Sequence, residues 1–351
     1  MGQVIAGRFE LVEPLARGGQ GTVWVAWDRA RDRRCAAKVL DQRDSAALLR
    51  FVREQGVQVD HPHLASPYGW AAEDHEVAIA MPLVAGGSLE GALADHGALS
   101  EPLVARLLLQ LLDGLAALHA AGWVHRDVKP ANILLEPTGL GEPHARLGDM
   151  GLAMRVDDAR LTVLGALHGT PGFVSPEAAA GEHPAPAQDL WAAGATAVRL
   201  LAPQVALDDD AAVDAVLAGV MTVELAQAIG REGLLSPNPE DRSAAAAAAP
   251  ALLRESTATR RPDGGFVTAA QEPFEVFDQT GGLHHEDESA GDQPTEELPT
   301  EDLPAEDLPT EHPGGETADS PARSPGPVWL GLVLVLLGAV TVLVAVAMLA
   351  G

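Results

Sequence analysis

The chain has 351 residues, 47% of them hydrophobic, and a formal net charge of −27. That acidity excludes nucleic acid as a general partner, because phosphate backbones are met by basic surface. A single cysteine, Cys35, excludes an intrachain disulfide and a cysteine-based zinc site, and it agrees with a reducing compartment. The chain has only two lysines, Lys38 and Lys129; its other cationic side chains, histidine aside, are arginine. Arginine can replace lysine on a solvated surface, but not where a compact ammonium must fit beside phosphate oxygens.

Residues 1–7 carry no basic start and no long apolar run, so no secretory signal is expected. Ala6 stands where a myristoylation signal wants Ser or Thr. Residues 8–40 read as strands. Phe9, Leu11 and Leu15 lead into the turn Arg17-Gly18-Gly19-Gln20-Gly21, and Val23 to Ala26 restore strand character. A glycine-rich turn between strands lets backbone N–H groups approach phosphates, because no Cβ intervenes. Alone, such a hairpin is more often a plain turn. Lys38 follows in the apolar run Ala36-Ala37-Lys38-Val39-Leu40. Residues 45–59 carry a helical pattern, with Leu48, Leu49, Phe51 and Val52 around Glu54, which on pattern alone is a solvated acid. Val77 to Leu83 reads as a buried strand. Gly86-Gly87-Ser88-Leu89 opens a helix with Ser88 as N-cap, and Leu103 to His119 forms a long apolar helix.

The stretch His125-Arg126-Asp127-Val128-Lys129-Pro130-Ala131-Asn132 follows, with an apolar run after it. Phosphoryl transfer needs a carboxylate to orient a hydroxyl, a cation to offset charge on the moving group, and an amide oxygen to hold Mg²⁺. Downstream lie Leu147-Gly148-Asp149-Met150-Gly151-Leu152 and Gly169-Thr170-Pro171-Gly172-Phe173-Val174-Ser175-Pro176-Glu177. Asp189-Leu190-Trp191 and Asn238-Pro239-Glu240-Asp241-Arg242 complete the set.

In this order the motifs resemble the eukaryotic-like Ser/Thr protein kinases of bacteria, over residues 8–253. The resemblance implies an α+β, two-lobed protein-kinase-like fold, with a β-rich N-lobe (about 8–84) and a helical C-lobe (85–253). It implies Asp127 and Lys129 as catalytic residues and Asn132 and Asp149 as Mg²⁺ ligands. Its ATP site takes Leu15, Ala16, Gly18, Gly19, Gly21, Val23, Ala36, Lys38, Glu54, Met81 and Val84, with Ala16 replacing the first glycine of the loop. Glu54 pairs with Lys38. The family's Phe after the metal-binding aspartate is here Met150, apolar and flexible enough for the same slot. Arg126, Thr162 and Thr170 fall at regulatory positions. Glu177, Asp189 and Arg242 are structural, Arg242 pairing with Glu177 and Asp189 bracing the catalytic loop.

From residue 254 Glu, Asp, Pro, Thr and Gly dominate, with the near-repeat Glu297-Leu298-Pro299-Thr300, Asp302-Leu303-Pro304-Ala305, Asp307-Leu308-Pro309-Thr310. Residues 254–327 are expected to be a disordered acidic linker, spanning on the order of 50 Å as a flexible coil. Residues 328–350 are apolar and uncharged; as a helix they run about 35 Å, enough to cross a bilayer. With Arg323 on their N-terminal side and ATP and Mg²⁺ in the cytoplasm, a single-pass protein of the cell membrane is expected, its kinase domain cytoplasmic. With the chain stopping at Gly351, no extracellular sensor is expected.

The expected function is ATP- and Mg²⁺-dependent phosphorylation of Ser and Thr in protein substrates, itself included, with a homodimer as one route to trans-autophosphorylation. The alternative is a membrane-tethered pseudokinase acting as a scaffold, which Ala16, Met150 and the short, alanine-rich stretch after Pro203 favour and the intact catalytic set opposes. A small-molecule phosphotransferase shares an H-x-D-x-x-x-x-N loop but not the Gly-Thr and Pro-Glu signatures.

Overall fold

Successive side chains of a strand point to opposite faces, and six such strands precede residue 82. The computed structural model describes residues 3–18, 21–41, 56–156, 169–220, 222–254 and 265–280. Its strands are β1 (Val4–Ile5), β2 (Phe9–Gly18), β3 (Gly21–Asp28), β4 (Arg33–Asp41), β5 (Gly69–Glu73) and β6 (Glu76–Met81). They pair in the order β1-β2-β3-β4-β6-β5, antiparallel throughout. The sheet therefore starts before residue 8; a two-residue strand is too short to show a period.

The two faces divide cleanly. Cys35 and Ala37 of β4 are buried with Phe9, Leu11, Ala26, Ala78 and Ala80 on one face. Directly opposed residues of a ladder share a face. On the other face Ala16, Val23, Lys38 and Ile79 form one cross-strand row, and Val25, Ala36 and Met81 the next. The register of β2 against β3 shifts between Pro14 and Ala16, leaving Leu15 as an unpaired bulge residue.

After the sheet the described helices are α1 (Leu89–His96), α2 (Glu101–Ala120), α3 (Pro176–Ala179), α4 (Pro186–Leu201), α5 (Asp210–Gly219), α6 (Val223–Ile229) and α7 (Pro239–Leu252). Ser88 caps α1, its Oγ accepting from the Gly91 N–H at 3.2 Å. Leu103, Leu107, Leu111, Leu115 and Leu118 recur along α2 at helical spacing and are buried. By length and composition α2 could cross a membrane, yet it lies in the core against α4 and α7. α5 and α6 occupy the stretch after Pro203 and bury Val213, Leu225 and Ile229. Two small ladders stand between α2 and α3. One pairs β7 (Trp123–Val124) with β10 (Met154–Arg155), and the other pairs β8 (Ile133–Leu135) with β9 (Ala145–Leu147).

The expected disordered linker over 254–327 needs correction at residues 265–280. There Phe266, Phe274 and Val276 are buried, and the backbone bridges to Leu99 and Gly139. Each such buried side chain contributes about 1.5–3 kcal/mol, and backbone bonds to Ala98 and Gly139 accompany the burial. Gly19, Glu54, Thr162, residues 281–327 and the apolar segment 328–350 lie outside the described residues.

Candidate active site

The loop between β7 and β8 is held from below by one buried carboxylate. Asp189, in the first turn of α4, is 1% exposed. Its Oδ1 accepts from the Arg126 N–H and its Oδ2 from the His125 N–H, both at 2.8 Å, and His119 Nε2 lies 2.7 Å from Oδ2. Burial pushes this carboxyl up, but the bonds and charge of His119, with His125 and the Arg126 N–H, outweigh it and hold it below the usual range. The brace permits Arg126 a φ of 71°, a left-handed conformation uncommon outside glycine.

His125 links this loop to the next. The Asp127 N–H donates to His125 Nδ1 at 3.2 Å, so Nε2 carries the proton and donates to Gly148 O at 2.9 Å. Gly148 precedes Asp149, which sits at φ 54° and accepts on Oδ1 from Lys38 Nζ at 2.8 Å and from the Gly151 N–H at 3.4 Å. Burial raises the Asp149 pKa, yet Lys38, His125 and the Gly151 N–H pull it below the ordinary carboxylate value. Met150 is 2% exposed within the core of the helical part, filling the slot expected for it.

Asp127 is gripped from three sides. Lys129 Nζ lies 3.1 Å from Oδ1 and 2.8 Å from Oδ2. Thr170 Oγ1 donates to Oδ1 at 2.9 Å while accepting from Lys129 at 2.7 Å. Asn132 Nδ2 donates to the Asp127 carbonyl at 2.8 Å and to Oδ2 at 2.9 Å. With both amide hydrogens so used, the Asn132 amide oxygen is left as an acceptor for a cation. Asp149 Oδ2 is a second oxygen of the same kind. Among the described residues no cluster of three or more His, Cys, Asp or Glu could hold a metal. One carboxylate and one amide suit Mg²⁺, which takes few protein ligands and completes its shell with phosphates and water.

The sheet face opposite its own core presents Ala16, Val23, Ala36, Lys38 and Met81 together, five of the expected ATP-site residues. Gly18 pairs with Gly21 to close the glycine-rich hairpin. Gly21 has φ 120°, and a Cβ there would lie 2.5 Å from Val39 O, so no other residue fits. The β4–β6 ladder ends at Ala36–Met81, and the chain leaves the sheet towards Val84, which is buried. Leu15 is 39% exposed on its bulge.

Arg242 is fully buried and spends all five N–H groups. It bonds both Glu177 oxygens at 2.7 and 2.8 Å, and the carbonyls of Ser236, Ala187 and Pro237. Burial raises the Glu177 pKa, and the Arg242 bond and the Ser175 hydroxyl more than reverse it. Arg126 Nη1 lies 2.6 Å from Met154 Sδ. Its expected partner, Thr162, is outside the described residues.

Two contributors had no sequence motif to announce them. His119 at the end of α2 reaches Asp189. Residues 265–280 reach the chain just after Val84. The first looked like one more polar residue on an apolar helix; the second was averaged into an acidic composition.

The family model described as protein kinase domain matches residues 9–262. The chain is similar to serine/threonine-protein kinase PkaA of Streptomyces coelicolor, 38% identical over 210 residues, covering 54% of this chain and 38% of the relative. To PkaB of the same organism it is 36% identical over 211 residues, covering 58% and 50%. To PknA of Mycobacterium tuberculosis it is 36% identical over 204 residues, covering 55% and 46%. The alignments thus span half or less of these relatives' own length.

Proposed function

This chain belongs to the protein kinase domain family, and on that premise we propose that it is a Ser/Thr protein kinase anchored in the cell membrane with its catalytic domain in the cytoplasm. Its substrates are ATP and protein hydroxyls. The observation that carries the reading is the three-sided hold on Asp127 by Lys129, Thr170 and Asn132.

In this reading Asp127 orients the substrate hydroxyl and takes its proton as the oxygen attacks the γ-phosphorus. The new O–P bond forms while the bond from the γ-phosphorus to the β–γ bridging oxygen breaks, and ADP leaves. Lys129 offsets charge on the transferring group, and Lys38 does the same for the phosphates upstream. Asn132 and Asp149 would hold Mg²⁺, whose chemistry is to offset phosphate charge as the bond breaks. Thr170 fixes the rotamers of Asp127 and Lys129 by bonding both. That pairing of Lys129 with Thr170 favours Ser and Thr over Tyr as acceptors. Autophosphorylation, in a homodimer or otherwise, follows from the same chemistry.

Anchoring is supported by residues 328–350, 23 uncharged apolar positions in sequence. The test is to incubate the full chain with γ-labelled ATP and Mg²⁺ and identify the labelled amino acids. Label on Ser and Thr is expected. Nucleotide binding with no transfer to itself or to a basic protein would instead make it a pseudokinase scaffold.

A further inference from the structure

The segment 265–280 lies beyond the family match, which ends at residue 262, yet it is built into the catalytic unit. It starts at α2. The Ala269 N–H donates to Ala98 O at 2.9 Å, and Ser100, at the N-cap of α2, gives its hydroxyl to Val267 O at 2.7 Å instead of capping the helix. Thr268, fully buried, closes a tight turn by accepting from the Glu272 N–H. Phe274 then packs 5.2 Å from the His96 ring at the end of α1. Val276 exchanges two backbone bonds with Gly139, at 2.9 and 3.0 Å. Finally the Gln279 N–H donates to Ala85 O at 2.8 Å, and its side-chain amide approaches Gly86 O at 3.4 Å.

The end of this strap meets the chain where it leaves the nucleotide-facing strand. The glycines there are shaped to receive it. A Cβ on Gly86 would lie 2.4 Å from Val276 Cγ1 and 2.6 Å from Leu135 O. A Cβ on Gly87, whose φ is 81°, would lie 2.5–2.7 Å from the Gln279 amide. Both glycines are therefore occupied on one side by the strap and, at Gly86, on the other by β8. β8 runs directly from Asn132, and the Gly86 N–H donates to Leu135 O while the Leu135 N–H donates to Gly87 O, each at 2.9 Å.

We infer that residues 265–280 are a strap that positions the Ala85–Gly86–Gly87 turn, through Gln279 and Val276, and thereby sets the affinity for ATP; this rests on the kinase reading of the site. The turn connects Val84, an expected ATP-site residue, to the cap of α1, so its place fixes where Val84 stands. Gln279 is a positioning residue and touches no reacting atom. Holding the turn in place before ATP arrives removes an ordering cost from binding, which is where preorganisation acts.

The experiment uses the full chain and two readouts: the Kd of a fluorescent ATP analogue, and KM for ATP against kcat. Gln279→Pro removes both the N–H and the amide. It should raise Kd and KM at least fivefold and leave kcat at saturating ATP within about twofold. Gln279→Ala keeps the N–H and should raise them by about twofold. Phe277→Ala, at a neighbouring side chain that is 64% exposed, should change nothing. A Gln279→Pro protein with unchanged melting temperature and unchanged Kd overturns the inference, as does a fall in kcat without a rise in KM. Because Kd is read without turnover, loss of the kinase reading and loss of the strap reading give different results.

Discussion

Removing the charge from Glu177 while keeping its shape isolates the ion pair that ties α3 to α7. In Glu177→Gln, Arg242 keeps its three carbonyl partners but faces an amide in place of two carboxylate oxygens. The guanidinium is wholly buried, so water cannot replace the lost partner. Breaking a buried pair from one side costs about 3–5 kcal/mol. At roughly 2–4 °C per kcal/mol for a unit of this size, the melting temperature should fall by about 6–20 °C. The Trp191 ring lies 5.3 Å from the guanidinium, beside the broken pair. The effect should depend on pH with a definite sign. Folding depresses the Glu177 pKa, so its stabilisation is full above the unfolded value, about 4.3, and is lost as pH falls through the lower folded value. The gap between wild type and Glu177→Gln should therefore be constant near neutrality and close in acid. A fall of less than about 2 °C at pH 7, or a gap that widens on acidification, would refute the reasoning.

Lys38→Met and Asp149→Asn each remove one side of the 2.8 Å pair that spans the two parts of the domain. Each should abolish transfer in a radiolabel assay while circular dichroism shows a folded domain. Thr170→Ala loses one bond to each of Asp127 and Lys129, each worth about 1.5–3 kcal/mol for a charged partner, so kcat should fall roughly 10²–10⁴-fold. Thr162 should carry phosphate by mass spectrometry after incubation with ATP, and Thr162→Ala should lower activity only in part; an unmodified Thr162 in fully active enzyme contradicts that role. Deleting residues 328–351 should move the protein from the membrane to the soluble fraction with kcat unchanged, as fractionation will report.

What could be read before the structure was what lies close in sequence or carries a fixed spacing. Asp127, Lys129 and Asn132 sit on one loop, so their offsets alone bring their side chains together. Ser88 announces its helix as a cap; the face that Lys38 takes, opposite Cys35, shows only in the ladder register, because residues 35–40 read as an apolar run. Lys38 and Asp149 are 111 positions apart, and only the family resemblance joined them. Nothing local marks His119 as a partner of Asp189, because the bond depends on how α2 and α4 pack. The strap was hidden by averaging: residues 254–327 are acidic and Pro-rich as a whole. Yet three of the chain's six phenylalanines, Phe266, Phe274 and Phe277, fall inside a span of twelve positions there. Two of those are buried, on contacts with residues 98–100 and 139 that no sequence window contains.

The most direct test of the central claim compares wild type with Asp127→Asn in the full chain, measuring ATP affinity and phosphate transfer together. The asparagine leaves the Asp189 brace on the loop intact and keeps one acceptor oxygen for Thr170 and Lys129, but it gives up the bond accepted from Asn132 Nδ2 and cannot take the hydroxyl proton. ATP affinity should stay within about threefold while kcat falls by roughly 10²–10⁴. Transfer by Asp127→Asn at the wild-type rate, or none by wild type that binds ATP, would contradict it.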